Sequence, residues 1–188
     1  MTRIILSGCC GKMGGVIQNI VANRDDATIV AGVDKYNNNM TEFPVYENIS
    51  DVKEEADVVI DFSNPSLLDS LLEYGKTTKT ALVIATTGYD DCQKKKIADA
   101  SKDCPVFFTY NYSLGINLLA TLAKKAAALL GDEFDIEIVE QHHNQKIDAP
   151  SGTALMLADA ITEEIDRPMK YEYDRHSKRE KRTKNEIG

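Results

Sequence analysis

The sequence predicts an α/β fold: a parallel sheet clad in helices, followed by a smaller α+β region. Three observations carry this. Short apolar runs alternate with amphipathic stretches over residues 3–109, a glycine-rich turn joins the first run to the first helix, and the alternation stops near Ser113. Runs that are apolar along their whole length suit strands buried on both faces, and helices between them suit parallel pairing.

Each element follows from its own pattern. Residues 3–7 (Arg-Ile-Ile-Leu-Ser) are the first strand. Residues 13–22 carry Met13, Val16, Ile17, Ile20 and Val21 at helical spacing. A second β-branched run, 28–33, ends at Asp34, and residues 57–61, 81–85 and 106–109 supply three more strands. A helix is predicted over 65–74, with Asn64 as its cap and Gly75 closing it, and another over 94–101. Past Ser113 comes a long Ala- and Leu-rich helix, 114–130, closed by Gly131. A strand over 135–141 sets Ile136 and Ile138 against Asp135 and Glu137, and a last helix runs from Ser151 to about 165, where Asp166-Arg167-Pro168 stops it. The change of pattern divides the chain into domains of 1–112 and 113–188.

Composition narrows the function classes. The 188 residues are 43% hydrophobic and 28% charged, which suits a globular chain, and the net charge of −8 disfavours binding of nucleic acid or an anionic membrane over the whole surface. No apolar run reaches the length of a membrane span, and Met1-Thr2-Arg3 leads directly into a strand, so a cytoplasmic location is expected. Cys9, Cys10, Cys92 and Cys104 show no CxxC spacing and read as free thiols in a reduced compartment. Residues 167–184 hold eight Lys/Arg and three Asp/Glu, the composition of a solvated, mobile surface segment. No aromatic stacking motif there supports a nucleic-acid contact.

Gly8-Cys9-Cys10-Gly11-Lys12-Met13-Gly14 sits between the first strand and the first helix, where a pyrophosphate belongs. Gly8 permits the tight turn, Gly11 the approach of backbone to phosphate, and Gly14 close packing of helix on strand, while the helix N-terminus offers amides and a positive dipole end. The spacing is GxxGxxG, with Cys10 at the usual second glycine. Met13 after Gly11-Lys12 excludes a Walker A loop. Asp34, 20 residues past Gly14 at the end of the second strand, is placed to accept from the adenosine ribose. Its charge favours NADH over NADPH, while Lys35 and Lys12 offset the repulsion of a 2′-phosphate, so both cofactors stay open. A glycine-rich turn that binds nothing is the competing reading.

The second domain concentrates its polar chemistry in one run, Glu140-Gln141-His142-His143-Asn144-Gln145-Lys146-Ile147-Asp148-Ala149-Pro150-Ser151-Gly152-Thr153. Two histidines lie just past a strand end, and Lys146 follows His142 by four. Ser151 is a good N-cap, which exposes the Gly152 and Thr153 amides at a helix N-terminus. A carboxylate clamp with a proton donor beside it is one reading. Ordinary polar loop residues are another. A zinc site needs a third ligand and only His176 remains, so no metal is expected.

The run from His142 to Thr153 resembles the signature of 4-hydroxy-tetrahydrodipicolinate (dihydrodipicolinate) reductases. Asp61-Phe62-Ser63, Ala85-Thr86-Thr87-Gly88 and Asn111-Tyr112-Ser113-Leu114-Gly115-Ile116-Asn117 join it in the family's order. The resemblance implies a Rossmann-type dinucleotide-binding domain followed by a substrate-binding, catalytic and oligomerisation domain. It places NADH or NADPH on Gly8, Cys9, Cys10, Gly11, Lys12, Met13, Asp34 and Lys35, with Ala85, Thr86, Thr87, Thr109, Tyr110, Asn111 and Tyr112 on the nicotinamide side. It makes His142 the proton donor and acceptor, Lys146 a second donor, and His143, Gly152 and Thr153 the holders of a dicarboxylate. The implied reaction is dehydrating reduction of 4-hydroxy-tetrahydrodipicolinate to tetrahydrodipicolinate in the diaminopimelate route to lysine. Asn144 and Gln145 depart from the Arg and His of many members, which implies one basic contact fewer near the substrate. Family members also continue past Gly188, completing the second domain and its homo-oligomer, a tetramer. By that measure the second domain is partial, and the alternative is an inactive fragment that binds NAD(P).

Overall fold

The computed structural model describes residues 1–36, 41–109, 111–144, 146 and 149–188. The chain forms two compact units, Met1–Tyr110 and Asn111–Gly188.

The first unit is a six-stranded sheet, β1 (Thr2–Ser7), β2 (Ala27–Val33), β3 (Val45–Tyr46), β4 (Val58–Asp61), β5 (Ala81–Ile84) and β6 (Val106–Phe108), in spatial order β3-β2-β1-β4-β5-β6. Every pairing is parallel. Ile4, Ile5 and Leu6 of β1 are buried in succession, and because neighbours point to opposite faces, both faces of the sheet are covered there. Helices α1 (Lys12–Ala22), α2 (Leu68–Thr78) and α3 (Asp91–Ala100) make the crossovers. The core gathers Ile5, Val33, Val59, Leu71, Leu82 and Ile97.

Several predicted boundaries move. The helix expected over 65–74 opens as a 3₁₀ turn at Pro65–Leu67, with the Asn64 side chain accepting from the Ser66 amide, and continues as α2 through Gly75 to a left-handed Lys79. Gly75 does not close the helix; it makes room for Leu82, whose side-chain carbons would lie 2.7–3.0 Å from a Cβ there. The helix expected from 94 begins at Asp91, because Asp90 and Gln93 form a reciprocal capping box. The two-residue β3 carries no periodic signal of its own.

The second unit packs α4 (Leu114–Leu130) against α5 (Gly152–Thr162) beside a two-stranded parallel pair, β7 (Lys170–Tyr171) and β8 (Glu186–Ile187). Ser113 caps α4 through the Ile116 amide, and Gly131 ends it at φ +58°. The strand predicted over 135–141 is not formed. Its extended backbone makes one bridge, Ile136 to Ile187, with hydrogen bonds Gly188 N→Ile136 O and Ile138 N→Gly188 O, too few for a ladder. Helix α5 stops at Thr162 rather than 165, and Glu163 to Ile165 continue in single turns. The small core is Ala158, Ile161 and Ile187, with Ala123, Ala127 and Ile136 packed on it.

The basic segment 167–184 is mostly exposed, as expected, and several of its cations are paired. Arg175 pairs with Glu186 at 2.8 Å and Lys184 with Asp135 at 3.5 Å, while Lys178 meets Glu172 and Arg182 meets Glu137. Three of its cations thus meet acids outside the segment, at Asp135, Glu137 and Glu186. Among the described residues no helix is long and apolar enough to cross a membrane.

Candidate active site

In a parallel sheet the carboxyl ends of all strands share one edge, and the order β3-β2-β1-β4-β5-β6 puts the topological switch point between β1 and β4. The glycine loop leaves β1 there. Gly8 has φ +79°, and a Cβ on it would lie 2.4 Å from the Phe62 carbonyl oxygen, so only glycine lets the loop pass the end of β4. A Cβ on Gly14 would stand 2.4 Å from the carbonyl oxygens of both Gly8 and Cys9, which is why α1 can start directly over the turn. Gly11 is the N-cap of helix α1, which has no side-chain cap and no acid in its first turn. Backbone brought close by Gly8 and Gly14, under a helix N-terminus that no side chain caps, fits a pyrophosphate.

Asp34 folds back onto this loop. Its Oδ2 accepts from the Cys10 amide at 2.9 Å and its Oδ1 from Tyr36 N at 3.1 Å. Lys12 and Lys35 are exposed, Asp34 half-buried. All four cysteines are free thiols. Burial, with Cys10 and Asp34 nearby, pushes the Cys9 thiol up to about 12.

The Asp-Phe-Ser and Ala-Thr-Thr-Gly motifs meet where β4 and β5 end. Thr86, 5% exposed, donates to Asp61 Oδ2 at 2.7 Å and accepts the Ser63 amide at 2.9 Å, and the Ser63 hydroxyl donates to Asp61 Oδ1 at 2.5 Å. Asp61 is 2% exposed, so these donors satisfy a carboxylate that solvent barely reaches. The Thr86 hydroxyl is thus spent inside the protein. Ala85 is buried beside it, Thr87 is exposed, and Thr109 closes the edge through its amide to the Ile84 carbonyl at 3.2 Å. Tyr110 lies outside the described residues.

In the second unit the hub is Glu140, which the sequence reading did not single out. It accepts from the Ser151 amide at 2.8 Å and from the Ser151 hydroxyl, and its Oε2 lies 3.6 Å from His142 Nδ1. Ser151 Oγ in turn caps α5 by accepting from Ala154 N at 3.0 Å. The Ser151 hydroxyl and amide, with the charges of His142 and Lys146 close by, hold the Glu140 carboxyl below its usual range. His143 is exposed and its carbonyl accepts the Lys146 amide at 3.2 Å. Asn111 Nδ2 donates to Thr153 Oγ1 at 3.1 Å, which sets that side chain beside the exposed Gly152 at the start of α5. Tyr112 is exposed next to Asn111. The signal for Glu140 was its place two residues before a histidine at the end of an extended run.

A neighbouring groove of about 410 Å³, lined by Ile138, Leu155, Ala158, Tyr171 and Ile187, also touches Glu140 and Glu172 but offers no cation among its described lining residues.

The strand order and the glycine loop at the switch point are those of a Rossmann-type dinucleotide-binding domain. Comparison with known proteins narrows the class. Residues 2–112 match the family model for the N-terminus of dihydrodipicolinate reductase, and residues 115–188 the model for its C-terminus. The chain is 48% identical over its whole length to the 4-hydroxy-tetrahydrodipicolinate reductase of Clostridium novyi (strain NT), spanning 74% of that protein. It is 50% identical to the enzyme of the same name from Caldanaerobacter subterraneus subsp. tengcongensis, again over the whole chain and 74% of the relative. Among solved structures, dipicolinate-bound dihydrodipicolinate reductase from Paenisporosarcina sp. TG-14 aligns over 95% of this chain and 71% of its own, at 30% identity and a TM-score of 0.64. This chain belongs to the dihydrodipicolinate reductase family, the NAD(P)H-dependent oxidoreductases that its sequence motifs resemble.

Proposed function

We propose that the chain reduces 4-hydroxy-tetrahydrodipicolinate, with loss of water, to tetrahydrodipicolinate, using NADH or NADPH, in the diaminopimelate route to lysine. The observation that carries the reading is Glu140 joining His142 to the N-cap of α5, because it joins a proton-transfer group to an anion-binding helix end. When bound, the nicotinamide supplies the hydride. The Gly8–Met13 loop would hold the pyrophosphate on backbone amides, Asp34 would accept from the ribose, and Ala85 to Thr87 with Thr109 to Tyr112 would serve the nicotinamide side.

On the substrate half, the Gly152 and Thr153 amides and His143 hold carboxylates. Hydride addition leaves an electron pair on the substrate that a proton must quench. His142 gives that proton, with Lys146 as second donor. The Glu140 carboxylate, its Oε2 3.6 Å from Nδ1, attracts the protonated imidazole and leaves Nε2 to give the proton. Asp34 supports NADH, and Lys12 and Lys35 support use of NADPH as well.

His142→Gln tests the assignment. In an NADH-oxidation assay with enzymatically generated substrate, it is expected to cut kcat about 100-fold, the low end of general acid–base contributions, with NADH affinity within about twofold of wild type. Turnover at the wild-type rate would remove His142 from the mechanism.

A further inference from the structure

Cys9 and Cys10 lie in the nucleotide loop, yet nothing in hydride transfer asks for sulfur there. Their Sγ atoms are 3.8 Å apart. The Asp34 carboxylate completes a cluster whose three ligand atoms all lie within 4.8 Å of one another. Two thiolates each about 2.3 Å from one tetrahedral zinc ion stand about 3.8 Å apart, from bond length and angle alone. The observed sulfur separation already matches that chelate. A carboxylate oxygen about 2.1 Å from the same ion would lie about 3.6 Å from each sulfur, so closing the set needs a shift of about 1 Å.

The surroundings hold the cluster together. The Cys10 amide donates to Asp34 Oδ2 at 2.9 Å, tying the carboxylate to the loop. The Cys9 sulfur fills space over Gly32, where a Cβ would come within 2.6 Å of it. Cys9 is 1% exposed and Cys10 half-buried, so an ion enters past Cys10. Among the described residues no other three His, Cys, Asp or Glu side chains converge in this way.

We propose that Cys9, Cys10 and Asp34 form a binding site for a thiophilic divalent ion of the zinc and cadmium class, and that its occupancy excludes the dinucleotide. Binding forms two metal–sulfur bonds and one metal–oxygen bond, releases the two thiol protons to solvent, leaves the fourth position to water and changes no oxidation state. Two sulfurs in three ligands select soft ions over magnesium or calcium. Exclusion follows from a shared residue: a carboxylate on the ion no longer accepts from the ribose, and the loop that must wrap the pyrophosphate is pinned. This second half rests on the nucleotide-loop reading; the metal site does not.

Cadmium chloride titrated into the full chain, kept reduced by a phosphine, tests both halves. The expected result is a thiolate-to-cadmium charge-transfer absorption that saturates at one ion per chain. Cys10→Ser and Asp34→Asn each weaken the apparent affinity about tenfold or more, a loss seen even for outer-shell partners. Cys92→Ser, which removes the exposed thiol of α3, leaves the absorption unchanged. NADH titrations followed by nucleotide fluorescence show an apparent Kd that rises in step with cadmium, and the rise is lost in Cys10→Ser. Cys10→Ala serves as a second variant if the serine chain does not fold. No absorption, or none weaker in the Cys10 variants, overturns the site. A cadmium-loaded chain that binds NADH as tightly as the metal-free chain overturns the exclusion. Metal-free chain that fails to bind NADH refutes the nucleotide-loop reading, and the absorption result still decides the metal site.

Discussion

Replacing Gly8 by alanine measures how tightly the end of β1 is seated against the end of β4. At φ +79° Gly8 occupies the left-handed region, where an L side chain costs about 1–2 kcal/mol. The added Cβ would stand 2.4 Å from the Phe62 carbonyl oxygen and 2.8 Å from its carbon. Both atoms are backbone, so the chain beyond β4 must retreat by about 1 Å to reach ordinary contact. Overpacking of that kind costs about 1–3 kcal/mol, for a total of about 2–5 kcal/mol. Gly15 is the internal control: nothing lies within 4 Å of a Cβ there, and it sits inside α1. Gly15→Ala is therefore expected to stabilise by about 0.5–1 kcal/mol, the ordinary helical preference for alanine. Urea unfolding followed by circular dichroism reads both changes, and an NADH titration reads whether the loop keeps its shape. A Gly8→Ala chain within about 0.5 kcal/mol of wild type, binding NADH equally well, would refute the argument from geometry.

Thr86→Val keeps the shape of the side chain but leaves Asp61 short of a donor and the Ser63 amide without its acceptor. A loss of about 2–5 kcal/mol in urea is expected, with Thr86→Ser recovering most of it; a neutral valine would mean that Asp61 does not need this network. Glu140→Gln should lower kcat, since the carboxylate beside His142 becomes a neutral amide, and should also change acid stability. The folded Glu140 carboxyl titrates below its ordinary value of about 4.3, so its contribution is complete above that pH and is lost as pH falls through the lower folded value. Circular-dichroism melts from pH 7 to pH 3 should then show wild type and variant converging below about pH 4. A gap as wide at pH 3 as at pH 7 would contradict the pairing with Ser151.

Much of the architecture was legible because it depends on local pattern. Five strands show as apolar runs, and Ser113, Ser151 and Gly131 mark helix ends through chemistry that acts within one turn. What escaped depends on partners distant in sequence. Gly75 reads as a stop until Leu82 is seen lying against it, and residues 135–141 alternate like a strand but find only Ile187 and Gly188 to pair with. The lysines and arginines past 167 look unpartnered in a line of text; their partners include acids more than 40 residues earlier. At the site, histidines, lysine and glycines announce themselves by type, whereas Glu140 gains meaning only through Ser151, eleven positions on. The family was readable because its motifs are long, and the comparisons return the same family.

Because all six strands of the first unit run the same way, the turns at the opposite edge carry none of the expected site residues. They hold exposed ion pairs such as Arg24 with Asp26 and Arg3 with Glu55 and Asp57, the kind whose loss changes stability little. The sheet therefore has a strict end and a lenient one. Substitutions, short insertions or a fluorophore attached near residues 24–26, 53–57 or 101–103 should be absorbed, and lineages of this enzyme should drift apart fastest there, while the edge bearing Gly8, Asp61 and Thr86 holds still.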